Sequence, residues 1–251
     1  MQNRYTGDVG DFGKYGILKM VSSGPSLRLG INWYLTDDES HNKDGKHIGY
    51  LDDTKRKNTL EFRACDPTLY KQLQDVVING RTIRSIQDSH ILPEGTVFYD
   101  QVLSYNAEVD TAARKKERER WYRAGFKQLE TCEIVFFDPD NGLEVESVGK
   151  YSDKGPKYVW HDEVIDYYQR GQSLIIYNHR SREPQEKYLK RFDRIRAITP
   201  EPNNVVVLRY SRGTTRDYVF LMQSSHRGQM MKNIEALMNS PWNRHFSLVM
   251  M

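Results

Sequence analysis

Hydrophobic and polar positions alternate along this chain in blocks that predict strands separated by helices. Short apolar runs rich in β-branched and aromatic residues predict buried strands, and apolar residues three or four apart predict amphipathic helices. The predicted strands cover residues 30–35, 133–137, 173–177, 205–210, 218–222 and 246–250, with a short strand or turn within 95–104. The predicted helices cover about 15–21, 66–78, 109–130, 157–170, 184–197 and 228–239. This alternation favours an α/β fold with a mostly parallel sheet, and the strands 205–210 and 218–222 add a late antiparallel hairpin.

The 251 residues contain no internal repeat and no low-complexity linker. We therefore predict one α/β domain over 1–251, with an embellished segment at about 37–130. A composition of 38% hydrophobic and 28% charged residues is ordinary for a soluble globular protein. The net charge of +3 is too small to imply a polyanionic partner by itself.

The two cysteines, Cys65 and Cys132, lie far apart, so neither a disulfide framework nor a cysteine-based zinc site is expected. The sequence shows no apolar signal segment and no run that approaches the length of a membrane span. These features predict a cytoplasmic protein without a membrane partner.

The most informative motif is Asp138-Pro139-Asp140-Asn141-Gly142, which directly follows the apolar run 134–137. Ligands of open α/β sheets bind outside the carboxyl ends of the strands, so this position favours an active-site loop. The same residues are also good turn formers, and Asn-Gly is a strong hairpin signal. Taken alone, the motif leaves an active-site loop and a plain turn open.

A second polar cluster, Asn178-His179-Arg180-Ser181-Arg182, follows the predicted strand 173–177. If the two strands are neighbours, this cluster and the Asp138 loop lie side by side over one crevice. The carboxylates could orient or deprotonate a substrate, and the basic groups could hold a phosphate or carboxylate. We therefore expect His179, Arg180 and Arg182 to bind substrate.

A third cluster lies in residues 4–16, where four glycines occur within ten residues and Asp8, Asp11 and Lys14 are spaced three apart. On a helix this spacing would place the three charged side chains on one face. The glycines favour a loop whose backbone approaches a ligand closely, and the alternative is a flexible start followed by a capped helix from about Asp11. We expect Tyr5, Asp8 and Asp11 to bind substrate, with Lys14 assisting catalysis. The pattern is not a phosphate-binding P-loop.

The predicted helix 184–197 carries a basic stripe of Lys187, Lys190, Arg191 and Arg194 at helical spacing. Such a stripe suits a nucleic-acid backbone, but a solvated helix face has the same pattern. The mixed-sign run 114–120 is expected to be a solvated helix face.

The order of these features resembles class I S-adenosylmethionine-dependent methyltransferases, and specifically the bacterial family that methylates adenine N6 in large-subunit ribosomal RNA. Asp11-Phe12-Gly13-Lys14 is similar to that family's amino-terminal Asp-x-x-Lys element, and Asp138-Pro139-Asp140-Asn141 is similar to its Asp-Pro-Pro-Tyr motif. The resemblance implies a Rossmann-like, methyltransferase-like fold, S-adenosylmethionine as cofactor, and RNA or DNA as partner. It also implies that Asp138 and the Pro139 carbonyl accept hydrogen bonds from the target amino group.

The chain departs from the family pattern at two places. The strand 30–35 is not followed by a glycine-rich turn, which leaves Trp33, Asp37 and Asp38 as the candidate cofactor-binding residues. Asp140 and Asn141 stand where proline and an aromatic residue are expected, so Asn141 cannot stack on a target base.

Two alternative functions remain open from the sequence. In a Mg²⁺- or Mn²⁺-dependent nuclease or phosphohydrolase, Asp138 and Asp140, with Asp8 or Asp11, would hold the ion through hard oxygen ligands. Lys14, His179 and Arg180 would then neutralise the phosphate. The other alternative is a methyltransferase-like module that only binds a partner. Under both enzymatic functions, Asp138→Ala is expected to abolish activity with little loss of stability.

Overall fold

The computed structural model describes residues 1–24, 27–39, 45, 47–105, 110–199 and 201–250. Nine strands lie in these residues: β1 (Leu29–Asn32), β2 (Val97–Tyr99), β3 (Ile134–Phe137), β4 (Gly142–Leu143), β5 (Tyr158–Val159), β6 (Ser173–His179), β7 (Val205–Arg212), β8 (Thr214–Leu221) and β9 (Phe246–Met250). Seven of them form the central sheet in the order β2-β1-β3-β6-β8-β7-β9, and β4 pairs with β5 in a small parallel ladder.

The centre of the sheet is parallel, because β2, β1, β3 and β6 all pair in parallel. Strand β8 runs antiparallel to both of its neighbours, β6 and β7, and β9 is antiparallel to β7. The predicted α/β class, the mostly parallel centre and the late hairpin are thereby confirmed. The hairpin is longer than predicted, because pairing continues to Arg212 and Thr214 around a turn at Gly213 with φ +68°.

Helices cover both faces of the sheet. They are α1 (Val9–Val21), α2 (Arg56–Asn58, continued by a π-helical turn at Thr59–Arg63), α3 (Pro67–Asn79), α4 (Ile83–Asp88), α5 (Thr111–Gln128), α6 (His161–Gln169), α7 (Gln185–Arg196) and α8 (Ser224–Met238). Short 3₁₀ turns lie at Asn3–Tyr5, Gly49–Leu51, Gly155–Lys157, Pro202–Asn204 and Pro241–Arg244. None of the helices in the described residues is long and apolar enough to cross a bilayer.

Two helix starts differ from the prediction for local reasons. Helix α1 begins at Val9 rather than near residue 15, because the Asp8 carboxylate caps it by accepting bonds from the amides of Gly10 and Asp11. Helix α6 begins at His161 rather than at 157, because Tyr158 and Val159 are drawn into the ladder with β4. The predicted helix 66–78 agrees with α3, whose amino end is capped by Asp66.

The core has two layers, one on each face of the sheet, and β3 contributes to both. Ile134 and Phe136 pack in the layer formed with α1, α3 and α8, while Val135 and Phe137 pack in the layer formed with α5, α6 and α7. A strand buried on both faces is a continuous apolar run, which explains the pattern at 134–137. The single domain and the embellished segment 37–130 stay predictions.

Three glycines of α1 lie against large side chains of β7, β8 and the 3₁₀ turn at Pro241–Arg244. An added Cβ would lie 1.3 Å from Nη1 of Arg216 at Gly10, 2.5 Å from the Tyr210 ring at Gly13, and 2.3 Å from the Trp242 ring at Gly16. These glycines therefore allow close helix packing. Gly7, with φ +76°, keeps the predicted loop conformation just before α1.

Candidate functional site

A cavity of about 410 Å³ lies at the carboxyl ends of β3 and β6, beside the amino end of α1. It brings together nine of the residues predicted for the site: Tyr5, Asp8, Asp11, Lys14, Asp138, Pro139, Asp140, Asn141 and His179. The volume is in the range of small-molecule and cofactor sites. The three polar clusters of the sequence therefore border one space.

Lys14 bridges two carboxylates that are far apart in the sequence. Its Nζ lies 2.8 Å from Oδ1 of Asp11, one turn earlier on α1, and 2.7 Å from Oδ2 of Asp138 at the end of β3. All three residues are at least 96% buried. Burial alone would lower the pKa of Lys14, but the two carboxylates outweigh it and hold that pKa well above its usual value. Lys14 is therefore a fixed ammonium group at the cavity wall.

Asp138 is held by both its backbone and its side chain. Its amide donates to the carbonyl of Asn32, at 3.0 Å, and its carbonyl accepts from the Met1 amino group, at 3.1 Å. Burial raises the pKa of the Asp138 carboxyl, and the nearby charges of Lys14 and the Met1 amino group only partly offset this. While Oδ2 is bound to Lys14, Oδ1 accepts no hydrogen bond from a described residue, so it is available to a ligand in the cavity.

Asp140 has a separate set of partners. Its carboxylate lies 2.9 Å from the Met1 amino group and accepts a 2.7 Å bond from Nε2 of Gln2, and Nζ of Lys157 lies 3.9 Å away. Burial acts to raise the pKa of Asp140, but the Met1 amino group, Lys157 and Gln2 outweigh it and lower that pKa. The two carboxylates of the motif are thus held by different cations.

The end of β6 borders the cavity beside the Asp138 loop. The amide of His179 donates to the carbonyl of Asn141, at 3.2 Å, which ties the two loops together side by side. Burial raises the pKa of Tyr177 to about 12, so its phenol keeps its proton at neutral pH. The phenol oxygen lies 3.5 Å from Nδ1 of His179. The end of β6 therefore presents the Tyr177 phenol and the His179 imidazole to the cavity.

Five predicted site residues lie outside the cavity lining. Arg180 stacks on the ring of Tyr188, with 4.3 Å from its Cζ to the ring centroid, and Arg182 is exposed. Trp33 is fully buried against Phe98, with 6.2 Å between ring centroids. The remaining two are Asp37 and Asp38, which are exposed at the surface. The roles predicted for these five residues stay predictions.

Several residues that border the cavity were not selected from the sequence. They include Glu39, His47, Lys157, Tyr177, Thr214 and Arg216. Arg216 enters because β8 lies next to β6, which pairs it with His179. The sequence pattern of residues 214–221 does not predict that Arg216 lies beside His179, because this contact depends on the order of strands in the sheet.

In the described ranges, no group of three or more His, Cys, Asp or Glu residues is arranged to hold a metal ion. Asp11 and Asp138, the two carboxylates that approach each other, have the Lys14 ammonium between them. A divalent ion shared by these carboxylates would have to displace that ammonium.

A scan against models of known protein families finds no match for this chain, and a search of curated proteins finds no similar sequence. The cavity and its side chains therefore carry the functional argument.

Proposed function

We propose that this protein is an S-adenosylmethionine-dependent methyltransferase that modifies an amino group of a nucleic-acid base. One observation carries the proposal: Asp138 and Pro139 border a cavity at the carboxyl end of β3, with the Lys14 ammonium against Asp138. The resemblance to adenine-N6 methyltransferases predicts this pairing of an Asp-Pro element with an amino-terminal lysine.

Asp138 supplies the groups that an exocyclic amino group needs. Its free Oδ1 and the carbonyl of Pro139 can each accept one N–H bond, which would direct the nitrogen lone pair away from the loop. Because burial raises the pKa of Asp138, its carboxylate is also a stronger base for the proton released when nitrogen gains a methyl group. The cofactor would supply the methyl group. Lys14 keeps Asp138 oriented through the 2.7 Å bond.

Tyr177 can supply the aromatic contact that Asn141 lacks. It borders the same cavity as Asp138, and a base taken out of its stack is usually held between aromatic or apolar side chains. The late hairpin β7–β8 also agrees with the element order on which the resemblance rests. A fold alone does not fix a function, so these two points are secondary support.

The magnesium-dependent alternative has less support. The carboxylates of Asp138 and Asp140 are paired with different cations, and Lys14 lies between Asp138 and Asp11. We therefore place the hydrolase, and the module that only binds a partner, among the outcomes of the test.

The test compares the wild type with Asp138→Asn, which keeps the size of the side chain and one acceptor oxygen but removes the charge. Calorimetric titration should show S-adenosylmethionine binding to both proteins. Transfer of a labelled methyl group into RNA or DNA should fall about 10²-fold or more in Asp138→Asn, the range for loss of a general base. Asp88→Asn is the control, because Asp88 is an exposed residue on α4 that pairs with Arg84 and lies outside the cavity lining.

Three results would contradict the proposal. Absence of S-adenosylmethionine binding to the wild type would refute the proposed methyltransferase outright. Mg²⁺ or Mn²⁺ binding that is lost in Asp138→Ala, without cofactor binding, would favour the hydrolase. Binding of nucleic acid with neither ligand would favour the non-catalytic module.

A further inference from the structure

Arg216 is a buried cation that has no ion-pair partner among the described residues. It is 6% exposed, borders the cavity, and forms no ion pair with any described residue. Nη2 donates to Oγ1 of Thr214 at 2.5 Å, while Nε has no hydrogen-bond partner. A guanidinium group cannot lose its proton in a protein, and an unpaired buried charge is costly. Such a group is retained where it meets an anion.

Asp8, the described carboxylate whose charge acts on Arg216, forms no ion pair with it. Asp8 acts on Arg216 through its charge, but Oδ1 of Asp8 caps α1 by accepting the amides of Gly10, at 2.7 Å, and Asp11, at 3.1 Å. Oδ1 of Asp8 is thereby committed to the helix end, and the Asp8 charge acts on the guanidinium without a direct ion pair. The guanidinium remains directed at the cavity.

Helix α1 is shaped to leave room for this guanidinium. A Cβ at Gly10 would lie 1.3 Å from Nη1 of Arg216, so any other residue there would displace the group. Glycine is a poor residue for a helix interior, and its presence in the first turn needs a reason. Space for the Arg216 guanidinium is that reason.

Two further side chains converge on the same place. The register of β6 with β8 puts His179 directly opposite Arg216, and directly opposed residues in antiparallel strands project from the same face. Tyr177 lies two residues before His179, and therefore on that face as well. Both residues border the cavity, with the Tyr177 phenol 3.5 Å from Nδ1 of His179.

We infer that Arg216, His179 and Tyr177 form a subsite for the phosphate group of a nucleotide ligand. The planar fork of arginine matches phosphate oxygens, and donors on three separate side chains suit a tetrahedral anion better than a planar one. The subsite lies in the same cavity as Asp138, so a nucleotide held by its phosphate can present its base to the Asp138 loop. The assignment does not depend on methyl transfer, since any enzyme or binding module for nucleotides can use it.

The test is calorimetric titration of the full chain at pH 7 with adenosine 5′-monophosphate and, separately, with adenosine. We expect the wild type to bind the phosphorylated ligand at least about tenfold more tightly, as charge-assisted hydrogen bonds imply. Arg216→Met should remove this preference and leave adenosine binding unchanged. Arg123→Met is the matched control, because the Arg123 side chain is 76% exposed on α5, and it should keep the preference.

Two more variants keep the inference testable if Arg216→Met does not fold. His179→Gln changes an exposed residue at the end of β6, so the fold should tolerate it, and the preference should fall severalfold. Arg216→Lys keeps the charge without the fork, and should retain only part of the preference.

The inference is overturned if the wild type fails to bind the phosphorylated ligand or binds both ligands equally. It is also overturned if the preference survives in every folded variant of Arg216 and His179. A phosphate preference without S-adenosylmethionine binding would refute the proposed methyltransferase alone. Cofactor binding without a phosphate preference would refute the subsite alone.

Discussion

Replacing Lys14 with methionine removes the ammonium group that joins α1 to the end of β3. Methionine has nearly the same length, so the variant tests the charge and not the space. Asp11 and Asp138, each 2% exposed, would lose a partner at 2.8 Å and 2.7 Å. Removing one member of a buried ion pair costs about 3–5 kcal/mol. For a protein of this size, that loss corresponds to a Tm lower by roughly 6–20 °C.

The loss should depend on pH, because the remaining carboxylates are easier to bury when they are protonated. Burial already raises the pKa of Asp138 against the opposing effect of Lys14, so this pKa should rise further in the variant. A carboxyl group whose pKa is higher in the folded state stabilises the fold at low pH and loses that contribution as pH rises through the folded-state pKa. The stability difference between wild type and variant should therefore be smallest at the acidic end of the measured range and largest at neutral pH.

Urea unfolding of both proteins from pH 4.5 to 8 measures this difference. Lys71→Met is the control, because Lys71 is an exposed residue on α3 paired with Asp75, and its loss should cost less than about 0.5 kcal/mol. A loss below about 1 kcal/mol at pH 7 for Lys14→Met, or one that is the same at every pH, would refute the electrostatic reasoning.

Two further predictions concern glycine packing in helices and the buried ion pair of Arg118 with Glu163. Gly13→Ala should destabilise the fold by about 1–3 kcal/mol, because the new Cβ would lie 2.5 Å from the Tyr210 ring. Gly228→Ala on α8, where a Cβ meets nothing within 4 Å, should instead stabilise by about 0.5–1 kcal/mol, and equal effects of the two changes in urea unfolding would contradict the packing argument. Arg118→Met should lower the free energy of unfolding by about 3–5 kcal/mol in the same assay, because Glu163 would lose two buried hydrogen bonds of 2.7 and 2.9 Å. A loss near zero would mean that Glu163 finds another partner or takes up a proton.

Patterns that depend on neighbouring residues in the sequence predicted much of the fold. The apolar run at 134–137 forms a strand buried on both faces, and Asp66 caps α3, because both features follow from local periodicity and capping chemistry. The meeting of the Asp138 loop with the His179 loop was also accessible, since the carboxyl ends of parallel strands share one edge of a sheet.

The features that the sequence did not predict depend on contacts between distant segments of the chain. Arg216 lies beside His179 only because β8 inserts between β6 and β7, and chain order alone would place β7 next to β6. Gly10, Gly13 and Gly16 are explained by side chains some two hundred residues later, such as Tyr210. Burial of Asp138 was not predictable from a turn-like motif either, and the small effect of Asp138→Ala on stability stays a prediction.

The close packing of α1 on the late strands has a consequence for the order in which the protein matures. Asp11 and Lys14 precede by some two hundred residues the side chains against which their helix packs, namely Arg216, Tyr210 and Trp242. During synthesis, the side of the cavity that α1 contributes therefore cannot form until the hairpin β7–β8 has left the ribosome. We expect chains that end before residue 205 to lack a formed cavity, so that ligand binding requires β7 and β8 to be present.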